Sequence, residues 1–234
     1  QPKFLQLSFV GVLFGFGLYV WLFLLNYGHI SYTAYDWRLF FAYDSVLKDA
    51  ILQFKIPYHI SHEFHETHRY LGIPETNFFP DILLLSFLSI REYIVAHILI
   101  TFAIGFWGCL LIRRHFNLSY FVFVILFLLF NFNGFIVSHV AVGILSWQGY
   151  YLLPLLVLNV LTLIEGKNSN FVRNSSLILF SMILLGSLHV FVISLIFLVL
   201  FIFFNLRFFK IISQAIFWSI SFSLFRLIPA AVTF

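Results

Sequence analysis

Residues 61–69, SHEFHETHR, set His62, His65 and His68 three apart with Glu63 and Glu66 between them. On a helix, positions i, i+3 and i+6 would fall within roughly a third of the circumference. Imidazoles beside carboxylates can hold a divalent ion, so a metal ion is the cofactor candidate for this stretch. A zinc hydrolase needs HExxH, with the glutamate directly after the first ligand. That pattern fails in both frames, because Glu66 and Arg69 stand where the second histidine should be. The alternative is a hydrated polar segment whose histidines and glutamates contact one another.

A second candidate is Asp36, in TAYDWRLFF. Aspartate is a favoured residue at a helix N-terminus, and Thr33 or Asp36 would serve there. Held at a water–lipid boundary, the same carboxylate could also take a proton from an acceptor hydroxyl. Glu75 and Asp81 bracket TNFFP as loop carboxylates with a possible place in a site, whereas Asp44 has Lys48 at i+4 and reads as a surface pair. His139 stands near Trp147 and Gln148 in GFIVSHVAVGILSWQGYYLLP. Arg91 and Arg226 are cations beside apolar segments, where they need a partner. Glu92 could supply one for Arg91, the side chains could snorkel, or each guanidinium could meet a lipid phosphate, whose geometry it matches.

These residues sit in a chain of 234 that is 62% hydrophobic and only 9% charged. A mean hydropathy of +1.02 puts it outside soluble domains and makes it an integral membrane protein. Backbone polar groups in lipid must be satisfied within each segment, so the expected class is an all-α polytopic transmembrane bundle. Seven spans are expected, at 8–27, 93–112, 118–134, 146–164, 173–188, 190–206 and 211–229. The whole of 1–234 reads as a single membrane domain, part of a longer chain. The basic residues lie singly or in pairs between apolar runs, which sets orientation and argues against nucleic acid despite a net charge of +4. Lys3, Arg113, Arg114, Lys167, Arg173, Arg207 and Lys210 share one side if seven spans alternate, and that side is cytoplasmic.

The segment 28–91 then becomes a large first loop on the outer face, periplasmic, extracellular or lumenal. It holds seven of the nine acidic residues. Leu39, Phe40, Tyr43, Val46, Leu47, Ala50, Ile51 and Phe54 recur in it at helical spacing opposite Asp44, Lys48, Asp49 and Gln53, as in an amphipathic helix resting on a membrane. PDILLLSFLSIRE reads as a second, short interfacial helix. The connection 135–145, the turn at 187–189 and the FRLIP stretch fall on the same outer face. Cys109 is the one cysteine and lies in an apolar run, so an internal disulfide or thiolate cluster is excluded.

The order of these pieces resembles the N-terminal part of the GT-C polytopic glycosyltransferases, which include protein O-mannosyltransferases and bacterial aminoarabinose transferases. A first span is followed by YDWRLFFAYDSVLKDAILQFKIPYH, then LGIPETNFFPDILLLSFLSI, LLIRRHF, GFIVSHVAVGILSWQGYYLLPLLVL and FRLIPA. The resemblance implies a sugar donor carried on a polyprenyl phosphate. It also implies a carboxylate in the first outer loop that acts as base or helps hold a metal, and Asp36 is the matching position. Trp37 stands where an adjacent second acid would be, and HEFHETH has no counterpart in the pattern. On this reading Asp36 is the base, Arg91 or Arg226 stands near the donor phosphate, and His139 and Glu75 line the pocket. The rivals are a non-catalytic structural subunit of a larger membrane complex, with membrane lipids and membrane proteins as partners, and a transporter. Scarce ionisable residues within the spans weaken the transporter.

Overall fold

The computed structural model describes residues 3–31, 33–57, 70–166 and 169–233, and every regular element among them is helical. The long helices are α1 (Lys3–Leu24), α2 (Trp37–Leu52), α3 (Ile90–His115), α4 (Tyr120–Asn131), α5 (Gly134–Ala141), α6 (Leu153–Ile164), α7 (Phe171–Leu184), α8 (Leu188–Phe204) and α9 (Phe209–Thr233). Short 3-10 turns at Tyr70–Gly72, Pro80–Ser86 and Leu145–Leu152 join them. A helix lies over each of the seven expected spans. Four helical stretches, Ile90–His115, Tyr120–Ala141, Leu145–Ile164 and Leu206–Val232, are long and apolar enough to cross a membrane. Ser8–Leu24, Phe171–Leu184 and Leu188–Phe204 are apolar but shorter.

Local chemistry sets the starts of these helices. Ser89 and Glu92 form a reciprocal capping box at the head of α3, so the Glu92 carboxylate accepts from the Ser89 N–H. Ser119 and Asn133 cap α4 and α5, and Pro154 fits the first turn of α6, where its missing N–H costs nothing. Two apolar cores follow. One gathers α1 to α5 around Phe102, Phe106, Phe123 and Phe127, whose rings meet mostly edge to face. The other joins α6 to α9 around Leu179, Met182, Leu198 and Ile212. The Thr101 hydroxyl donates to Gln148 Oε1 at 2.7 Å and ties α3 to the 145–152 turn by a buried polar contact.

α2 departs from expectation. It presents Trp37, Phe40, Asp44, Leu47 and Ala50 to the protein interior, against the 80–86 turn and α3. The predicted surface pair of Asp44 and Lys48 does not form: Asp44 is 5% exposed, and Lys48 Nζ donates to the Leu88 carbonyl at 2.7 Å. Phe54, assigned to the apolar face, is exposed. The physical reason is that the 80–86 turn and α3 claim the stripe 37, 40, 44, 47, which turns Asp44 inward onto a small cavity.

The head of α2 is fastened to the end of α5. The Asp36 N–H donates to the Val142 carbonyl at 3.1 Å and the Trp37 indole to Ala141 at 3.2 Å. Gly143 makes this approach possible, with φ of +85° and space so tight that an added Cβ would collide with the Trp37 backbone N. Gly143→Ala is therefore expected to cost about 1–3 kcal/mol from backbone strain alone, and the clash adds to that. Gly134→Ala, where an added Cβ meets nothing within 4 Å, should leave the thermal unfolding of the detergent-solubilised protein unchanged.

Candidate functional site

The polar residues gather at one end of the bundle, where 33–37, 73–78, 139–147 and 184–189 converge. Arg226, near the end of α9, holds the second of these in place. It is 3% exposed, and its guanidinium donates to the carbonyls of Thr76, Ile73 and Pro74 at 3.0, 2.9 and 3.3 Å. Its plane lies over the Phe78 ring, 4.6 Å from the centroid. The Phe78 N–H then donates to the Leu184 carbonyl at 2.6 Å. Gly186, at φ of +67°, lets the 184–187 turn lie against the Glu75 carbonyl, where any Cβ would collide. The loop that carries Glu75 is thus built into the bundle by its backbone.

At the rim, Asp36 is exposed at the N-cap position of α2, with no cap bond from its side chain. Burial raises the half-buried Glu75 carboxyl above its ordinary range; the His189 imidazole draws it back and the charge of Asp36 adds to the rise. Asp36, Glu75 and His189 therefore share one electrostatic neighbourhood. His189 stacks on Trp147 at 5.5 Å between ring centroids, and His139 packs against the same indole at 5.3 Å, tilted by 58°. The His139 Nδ1–H donates to the Phe135 carbonyl at 2.7 Å, which leaves Nε2 as its second hydrogen-bonding atom. The rim therefore offers two carboxylates and two imidazoles on an aromatic wall.

Beneath the rim, Tyr43, Asp44, Glu75, Asn77, Tyr93 and His97 line a small cavity with room for about one water molecule. His97 Nδ1 meets Asp81 Oδ2 at 2.5 Å in a buried pair, and Asn77 Nδ2 donates to the Tyr93 hydroxyl. Burial and the charge of Glu75 push the Tyr43 phenol up to about 12, so it stays protonated.

Of the expected site residues, the fold brings Asp36, Glu75 and His139 to this end and places Arg226 behind them as the clasp of the 73–76 carbonyls. Arg91 lines a different groove, beside Tyr27, His29, Val95 and Leu99. His62, His65 and His68 lie outside the described residues. Among the described residues no three His, Cys, Asp or Glu side chains are grouped so as to hold a metal ion. Sequence reasoning missed His97 and His189. A titratable residue inside an apolar helix such as α3 is a functional candidate by default, and that signal was available for His97.

Replacing Arg226 removes three donors from buried carbonyls. Arg226→Met should destabilise the protein by about 3 kcal/mol and open the 70–80 segment to limited proteolysis. Arg226→Lys, a point donor that cannot span three carbonyls, should recover less than half of the lost melting temperature. No protein-family model, curated protein or solved structure matches the chain, so its function is argued from these side chains.

Proposed function

We propose that the chain is the membrane part of an inverting glycosyltransferase of the GT-C kind, moving a sugar from a polyprenyl-phosphate donor to an acceptor hydroxyl. The observation that carries this reading is the exposed Asp36 carboxylate at the head of α2, its backbone N–H bonded to the Val142 carbonyl, on the same end as the His139–Trp147–His189 ring contacts. On this reading the seven apolar helices are spans. The basic ends Arg113, Arg114, Arg173, Arg207 and Lys210 face the cytoplasm, and the rim opens on the outer side.

In the reaction, Asp36 takes the proton of the acceptor hydroxyl as its oxygen bonds to the anomeric carbon from the face opposite the phosphate. The bond from that carbon to the phosphate oxygen breaks, and polyprenyl phosphate leaves with the electron pair. His189 is a rim donor for the departing phosphate oxygens, and His139 becomes one through Nε2 only as the imidazolium, since its Nδ1–H is held by the Phe135 carbonyl. Trp147, stacked on His189 and tilted against His139, is the apolar wall that holds the two imidazoles at the rim. Arg226 acts through the loop it holds and so positions Glu75.

The rival reading, a non-catalytic subunit of a membrane assembly, is favoured by the apolar exposure of Phe203, Phe204, Leu206 and Phe209 at the junction of α8 and α9. The two separate in one assay on the full-length protein with a lipid-linked sugar. Asp36→Asn should cut transfer by about 10²- to 10⁴-fold while its melting temperature stays at the wild-type value. Undiminished transfer by that variant rejects Asp36 as base, and fixed copurifying partners with no transfer by the wild type favour the subunit.

A further inference from the structure

We propose that the cavity beneath the rim is a proton-binding site, in which Asp44 holds one proton beside the Asp81–His97 pair and α2 docks fully on α3 only while that proton is present. Two carboxylates, Asp44 and Asp81, are buried with one imidazole, His97, which is itself 3% exposed. His97 is committed to Asp81 Oδ2, and the second oxygen of Asp81 is buried without a partner. No hydrogen bond from a described residue reaches the Asp44 carboxyl, which faces the cavity.

The other groups around Asp44 do not supply a counter-charge. Tyr93 of α3 and Tyr43 of α2 are phenols, and the Tyr70 hydroxyl already donates to the Tyr43 carbonyl. Asn77 is neutral, Glu75 would add negative charge, and Arg226 is turned to the 73–76 carbonyls. Ionising both aspartates would leave a net negative charge in a low-dielectric interior, a cost that a bound proton removes. Burial accordingly pushes the Asp44 carboxyl up to about 7, with His97 drawing it down and Asp81 pushing it up.

The sign of the pH dependence follows. The folded protein holds a proton that the unfolded chain releases near 3.8, so stability falls as pH rises from that value to about 7 and levels off above it. Asp36 lies two helical turns from Asp44 on the same helix, so loosening of α2 above that pH also moves the rim carboxylate.

Infrared spectroscopy of the purified full-length protein tests the site without any transfer assay, so its outcome does not depend on the glycosyltransferase reading. A carbonyl-stretch band of a protonated carboxylic acid should be present in mildly acidic buffer, disappear with a midpoint near pH 7, and be missing from Asp44→Asn. That variant should also show a melting temperature that no longer falls across the same pH range. Should Asp44→Asn fail to fold, the wild-type titration decides alone. A band that titrates near pH 7 together with a falling melting temperature supports the site. No titrating band, or one that survives in Asp44→Asn, overturns it.

Discussion

The hydrogen bonds from the Arg226 guanidinium to the carbonyls of Ile73, Pro74 and Thr76 are the constraint on which the polar end of this protein depends. A non-helical segment packed inside an apolar bundle must satisfy its backbone from within the protein, since neither lipid nor the core can supply donors. One arginine meets that demand three times over, with Phe78 beneath it. Without that clasp the Pro74 and Thr76 carbonyls would lose the donor seen for them, and the loop would rest on the Phe78–Leu184 hydrogen bond and on the bonds of Thr76 to Ile73. Its charge is neutralised by carbonyl dipoles, which is how an arginine this deeply buried is tolerated.

A second constraint is the buried charge under the rim. Asp44 and Asp81 face the same interior, and α2 places Asp44 there because its apolar stripe leaves no other orientation. The same stripe positions Trp37, whose indole reaches the Ala141 carbonyl, and so fixes where Asp36 projects. The cavity and the rim are therefore linked through one helix and through Glu75, which borders both. A reaction that generates a proton at Asp36 and a proton site two turns along α2 would be coupled by that helix.

Much of the architecture could be read in the sequence. Each expected span has a helix over it, and Asp36 meets Val142, Phe78 meets Leu184 and Arg226 meets Ile73 across the fold. Asp44 was misread because two local rules compete at one position. An acid four residues before a lysine fits a surface pair, but it also falls on the stripe Trp37, Phe40, Leu47, and only the packing of the 80–86 turn decides between them. The task of Arg226 could not be read, because the need of the 73–76 carbonyls for donors exists only once the loop is buried. His97 carried a visible signal, a lone ionisable residue in an apolar helix, while its partner Asp81 is sixteen residues away and joined to it only by the fold.

The central claim is that the Asp36, Glu75 and His189 rim receives a lipid-linked phosphate and its sugar. The most direct measurement is a density map of the full-length protein in a lipid nanodisc with an added polyprenyl-phosphate sugar. The account predicts phosphate density within hydrogen-bonding reach of His139 or His189, with the sugar lying between it and the Asp36 carboxylate. Phosphate density confined to the groove beside Arg91, with the rim empty at saturating donor, would contradict it.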